Sequence, residues 1–188
     1  MLHYPNKIKI AVCGLAHEPY DDGIKQKAYQ IGQYIAKHGC IIVTGATFGY
    51  PYEAAKGAFE AGGLSVGISP ANGKTEHHTH YHMPFDCYDP IIYTGFGLQG
   101  RNVVIIRSSD AVIFIGGGSG TLNEFTSAYR LGKPLAVLTG SGKISDHLPI
   151  ILDICSSSSP QPPLIHEADP EVLVHRMVEE AKKKIELL

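Results

Sequence analysis

The stretch that most narrows the folds open to this chain is 111–125, Ala-Val-Ile-Phe-Ile-Gly-Gly-Gly-Ser-Gly-Thr-Leu-Asn-Glu-Phe. Its first five residues are apolar without alternation, which suits a strand covered on both faces, as in a parallel sheet. Gly116, Gly117, Gly118, Ser119 and Gly120 follow, and helical patterning starts at Thr121. Buried strand, glycine loop and helix start, in that order, make an anion site. Glycine lets the backbone come close to a ligand, and the first N–H groups of a helix, at the positive end of its dipole, favour a phosphate. Glu124, in the first turn, is electrostatically awkward beside such a site. Thr121-x-x-Glu124 has the spacing of a capping box, in which each side chain satisfies a backbone N–H. A chemical role for the carboxylate is the other reading, and spacing leaves both open.

The rest of the chain repeats the strand-to-glycine junction. A strand over 8–13 stops at Gly14 and leads into a loop holding His17, Glu18 and Pro19. Ile24, Ala28, Ile31 and Ile35 predict a helix over 23–38. A strand over 40–44 meets Gly45, and a helix over about 51–61 precedes a strand over 64–68. Beyond 90 come a short strand over 90–94 and a helix over 97–109, with Leu98, Val103, Val104 and Ile106 facing inward and Arg101 and Arg107 on the same helix. The helix that starts at Thr121 ends at Gly132, and a strand over 134–138 meets a third glycine junction at 139–142. This alternation predicts one α/β domain with a largely parallel sheet, helices on both faces and right-handed crossovers. Ligands collect at the carboxyl ends of such strands, here near Gly14, Gly45 and Gly117. Residues 155–168, rich in serine and proline, read as a surface linker. A last helix over 169–188 has Asp169 as cap and Pro170 at its first position. Its stripe of Val174, Met177, Val178, Ala181 and Ile185 suits packing on the domain, with a dimer contact as the alternative.

The segment 70–90 breaks the rhythm. It is long and polar, with His77, His78, His80 and His82 close together. Loops of this length tend to be lids or mobile segments. An extended chain would set His78, His80 and His82 on one face, as a metal site requires. A solvated histidine loop and a cover for a substrate are the alternatives, and no metal is expected. The net charge of −2, with no basic stripe, argues against a nucleic-acid or membrane surface. Cys13, Cys40, Cys87 and Cys155 are too widely spaced for a zinc ribbon, and Cys13 and Cys40 read as buried packing residues. With neither a secretory signal nor a membrane span in view, a cytoplasmic location is expected.

Taken together, Gly100-Arg101-Asn102 and Gly117-Gly118-Ser119-Gly120-Thr121-Leu122-Asn123-Glu124 resemble the LONELY GUY family of nucleoside 5′-monophosphate phosphoribohydrolases. That family's signature is Pro-Gly-Gly-x-Gly-Thr-x-x-Glu, with an arginine on the preceding helix. Here Gly116 stands in the proline position and Asn102 where the arginine usually has a basic neighbour. These departures resemble a sister branch of Rossmann-like nucleotide-binding proteins that includes molybdenum-cofactor carriers. The resemblance implies a Rossmann-like three-layer domain and a homodimer. It also implies a site in which 117–121 and the junctions at Gly14 and Gly45 hold a nucleoside monophosphate, Arg101 orients it, and Glu124 favours the oxocarbenium-like charge of N-glycosidic cleavage. The products would be free base and ribose 5-phosphate, with no cofactor required. The alternative it implies is a binding protein that holds a nucleotide or the molybdenum cofactor in the same cleft without cleaving it.

Overall fold

A computed structural model describes residues 7–155 and 164–186. Seven strands, β1 (Lys9–Gly14), β2 (Ile41–Thr44), β3 (Ser65–Ser69), β4 (Ile91–Tyr93), β5 (Ala111–Ile115), β6 (Leu135–Leu138) and β7 (Leu164–Glu167), form one sheet. Every pair is parallel, and the order is β4-β3-β2-β1-β5-β6-β7. The chain runs outward from β1 to β4, then returns to place β5 against the other side of β1. That reversal opens a crevice beyond the carboxyl ends of β1 and β5, where an open parallel sheet binds ligands.

The helices are α1 (Asp22–Lys37), α2 (Gly49–Glu60), α3 (Lys74–Thr79), α4 (Gly97–Ser108), α5 (Ser119–Arg130), α6 (Leu148–Cys155) and α7 (Pro170–Glu186). Side chains on each strand alternate between two cores, as the two-residue period of a strand requires. Ile10, Val12, Ile113 and Ile115 pack against α1, α2 and α7, through Ile31, Ala54 and Met177 among others. Ala11, Val112 and Phe114 pack against α4, α5 and α6, through Ile105, Phe125 and Leu148. Both faces of β5 are therefore covered, which accounts for its unbroken apolar sequence. The expected three-layer α/β domain is the one that forms. Among the described residues, no helix is long and apolar enough to cross a membrane.

Several local expectations need correction. The linker expected over 155–168 gives way at both ends: Cys155 ends α6, and Leu164–Glu167 pair with β6 as an edge strand. Residues 156–163 lie outside the described residues. Between β6 and β7 the sequence also builds a single 3-10 turn, Ser145–His147, and α6, neither of them expected from the sequence; Leu148, Ile151 and Leu152 of α6 pack on the core at helical spacing. On α7, Val174, Met177, Val178 and Ala181 are buried, but Ile185 is exposed because the helix has run past the sheet.

The histidine segment is neither extended nor simply solvated. Lys74–Thr79 is helical, so His78 does not share a face with His80 and His82 as alternation along a strand would require. His77 is fully buried. Its Nε2–H donates to the Pro84 carbonyl at 3.0 Å, which leaves Nδ1 to accept from the Ser69 hydroxyl at 2.8 Å. A ring with both nitrogens satisfied internally is a structural bolt between β3 and the chain after α3.

Candidate functional site

The cleft lies where the topology predicts it, at the carboxyl ends of β1, β2 and β5, with a volume of about 630 Å3. Its floor is polar. Arg101 and Glu124 are only 8% and 6% exposed, and Arg101 Nη1 lies 3.5 Å from Glu124 Oε1. Arg101 reaches this position from α4 because Gly45 has no side chain. A Cβ there would lie 2.2 Å from Nη1 and 2.3 Å from Cζ of the guanidinium. Asn102 completes the support: it accepts from Arg101 Nη1 at 3.3 Å and donates to Asn123 Oδ1 at 3.1 Å. The Arg101 Nε–H is buried and has no hydrogen-bond partner among the described residues.

This face of α4 corrects the expected apolar stripe at two of its four positions, while Val104 and Ile106 pack on the core as expected. Leu98 and Val103 are 50% and 47% exposed, while Arg101 and Asn102 turn inward beside Ile105 and Ile106. The helix faces the cleft with its first turns and the core with its last, so one apolar period cannot describe it.

Glu124 is not the partner in a capping box. The three glycines let the chain enter the helix early, so α5 starts at Ser119 with Gly118 as its N-cap and no side-chain cap. Thr121 is then the third helical residue, and Glu124 falls in the second turn with its carboxyl turned to Arg101 and to the thiol of Cys13, which donates to it. Burial raises the Glu124 carboxyl above its ordinary range, while Arg101 and the Cys13 hydrogen bond pull the other way. Burial and the neighbouring carboxylate also hold the Cys13 thiol well above its usual value. Cys13 is thus a buried residue, as expected, and also part of the site floor. Its position near the end of the central strand was the available signal.

Without a capping side chain, the N–H groups of Ser119, Gly120 and Thr121 keep no partner among the described residues; the first bond of the helix runs from Leu122 N to Gly118 O. Gly118, Ser119, Gly120 and Thr121 all line the cleft. A Cβ at Gly118 or Gly120 would meet nothing within 4 Å, so the space above these two glycines is open. Gly117 serves differently. Its φ of +91° belongs to glycine, and a Cβ there would lie 2.1 Å from Thr121 Oγ1. Gly14 lines the cleft as well, but its missing side chain admits the Ile115 carbonyl, which a Cβ would approach to 2.1 Å.

The third glycine junction braces the central one. Gly116 N donates to Ser141 Oγ at 2.9 Å, Ser145 Oγ donates to the Gly116 carbonyl, and Ile144 N donates to the Gly117 carbonyl at 3.2 Å. His17 and Glu18 form one side of the rim, and His80, Tyr81 and Met83 form another. Part of the histidine segment therefore lines the cleft. Among the described residues, no group of three or more His, Cys, Asp or Glu side chains could hold a metal ion.

Comparison with known proteins places this chain among related ones. An uncharacterized protein of Archaeoglobus fulgidus is 37% identical over 118 residues, which are 63% of this chain and 72% of that protein. The solved molybdenum cofactor binding protein of Rippkaea orientalis is 30% identical and superposes with a TM-score of 0.73, covering 97% of this chain and 99% of its own. The molybdenum cofactor carrier protein of Chlamydomonas reinhardtii is 26% identical with a TM-score of 0.76, covering 94% and 99%. Both of these structural neighbours fall in the sister branch suggested by Gly116 and Asn102. The match to a family sequence profile runs over residues 7–174, through every part of the cleft, and the chain belongs to the SLOG cluster4 family.

Proposed function

We propose that this protein binds a phosphorylated, ring-bearing small molecule, with its phosphate on the N-terminus of α5 and its rings over the floor of Cys13, Arg101 and Glu124. A molybdopterin-type cofactor, held without covalent change, is the ligand class we favour. The observation that carries the reading is the open start of α5: three unpartnered N–H groups beneath empty space at Gly118 and Gly120. A phosphate satisfies such groups and gains from the helix dipole. The orphaned Arg101 Nε–H supplies a further donor at the floor. Full-length likeness to two proteins described as binding or carrying the molybdenum cofactor supports the ligand class.

The Arg101–Glu124 pair favours a second reading, hydrolysis of a nucleoside 5′-monophosphate to free base and ribose 5-phosphate. A fixed carboxylate near the ribose would stabilise oxocarbenium-like charge and activate water. The Glu124 carboxyl is, however, already engaged by Arg101 and Cys13, while burial raises its pKa. That engagement leaves it less free to take a proton from water, and for that reason binding comes first. A homodimer belongs to either reading and is tested by light scattering.

One experiment separates the two. The protein is produced in a host that makes the molybdenum cofactor, and bound pterin is sought by native mass spectrometry and by fluorescence after oxidation. The same preparation is incubated with AMP, GMP, CMP and IMP while free base is followed. Retained pterin without base release is the expected result. Base release that disappears in both Arg101→Ala and Glu124→Gln would establish the hydrolase instead.

A further inference from the structure

Lys143 stands on the rim of the cleft, and the turn that carries it is held from every side. Asp146 accepts from Gly140 N at 3.0 Å and Gly142 N at 2.9 Å, and the His147 Nδ1–H donates to the Lys143 carbonyl at 2.7 Å. The next residue, Ile144, donates its N–H to the Gly117 carbonyl at 3.2 Å, which ties the turn to the loop before α5. Lys143 itself has a φ of +54°. A lysine is seldom found in that left-handed region, and holding one there costs free energy that a glycine would avoid. The flanking Gly142, at +81°, shows how the same turn meets this demand without strain.

The charges around the cleft explain what a lysine adds. The lining holds two permanent cations, Arg101 and Lys143, and two carboxyls, Glu18 and Glu124. Arg101 is committed to Glu124. The Lys143 ammonium has no ion-pair or hydrogen-bond partner among the described residues. A phosphomonoester carries nearly two negative charges at neutral pH. Helix dipole and backbone N–H groups offset only part of that.

We propose that Lys143 is the second phosphate-binding element of this cleft, the side chain that makes it prefer a dianionic phosphate group to an uncharged or singly charged one. This rests on the reading that a phosphate docks on α5. Rim lysines act as mobile point charges, so the effect falls on affinity and its salt dependence more than on geometry.

The test uses inorganic phosphate as probe, titrated into the full chain and followed by 31P NMR at low and moderate salt, with pH held at 8. Wild type binds, and Lys143→Gly binds about 3- to 10-fold more weakly with a shallower salt dependence. The same variant gains roughly 2–4 °C in Tm, since glycine relieves the left-handed residue. Lys143→Arg keeps the affinity. If Lys143→Gly gains stability and binds phosphate as wild type does, the lysine is only a rim residue and the proposal fails while the docking reading stands. If wild type does not bind phosphate at all, both fall together.

Discussion

The helices that begin at the cleft are built differently from α1 and α7, the two long helices that begin away from it. α1 starts behind Asp21, whose Oδ1 accepts from Ile24 N at 2.9 Å. α7 starts behind Asp169, whose Oδ1 accepts from Glu171 N at 2.9 Å and Val172 N at 3.0 Å. By contrast α2, α4 and α5 start behind Phe48, Phe96 and Gly118, and none has a side-chain cap. Phe48, Leu98 and Gly118 all line the cleft. A good cap contributes about 1 kcal/mol to its helix. The fold forgoes that contribution at the cleft, where N–H groups stay open, and keeps it at α1 and α7; the short α3, behind Gly73, has no side-chain cap either.

The comparison is sharpest at the floor, where Arg101 and Glu124 are buried polar groups. Arg101→Ala should have the largest effect, a loss of about 3–5 kcal/mol, because it leaves the Glu124 carboxyl buried without its cation. The loss should depend on pH. Burial raises the folded pKa of Glu124 above its ordinary value and Arg101 opposes that rise, so removing Arg101 lets it climb further. A carboxyl with a raised folded pKa stabilises the fold below its unfolded pKa and ceases to do so as pH rises through the folded one. The deficit of Arg101→Ala is therefore greatest near pH 8 and shrinks toward pH 5. Urea unfolding of both proteins at the two pH values measures it. An equal deficit at both would mean that Glu124 takes no part.

Next in size is an exchange of character between the two kinds of helix start. Gly118 has a φ of −133°, outside the left-handed region, and a Cβ there meets nothing within 4 Å. Gly118→Asp gives α5 the kind of cap that α7 has. It should stabilise the protein by a few tenths of a kcal/mol and weaken phosphate binding by more than tenfold, since a carboxylate then occupies the anion position. The reverse change, Asp169→Ala, should cost about 1 kcal/mol and leave phosphate binding as it was. Thermal unfolding and phosphate titration of the pair check both halves. A loss of binding in Asp169→Ala would break the distinction.

What the sequence could and could not convey follows the same division. The apolar run at 111–115, the helical spacing from Ile24 to Ile35 and the Asp169-Pro170 start were legible because each residue's burial follows from its own local pattern. The position of the cleft was legible too, since Gly14, Gly45 and the glycine loop all end strands of a parallel sheet. The capping box misled because three glycines moved the helix start back to Ser119, a shift that spacing from Thr121 cannot register. Leu98 and Val103 misled because α4 turns Arg101 and Asn102 inward toward a partner more than twenty residues away. His77 shows the same limit: its partners on Ser69 and Pro84 exist only once the chain has folded back on itself. Residues satisfied by long-range contacts, or left unsatisfied in the fold, have no local signature.

The smallest change probes how far the open start of α5 extends. Gly120 is the second residue of the helix, and a Cβ at this position has open space around it. Within a helix, alanine is favoured over glycine by up to about 1 kcal/mol, less in the first turn. On folding grounds alone Gly120→Ala should therefore raise Tm by about 1–3 °C. A phosphate lying over residues 118–121 needs close backbone approach, and a methyl group in that space should weaken its binding several-fold. Greater stability with weaker binding would mean that Gly120 is kept for the ligand against the interest of the helix. Greater stability with unchanged binding would confine the phosphate to the Gly118 end, where Lys143 and the brace from Ile144 converge.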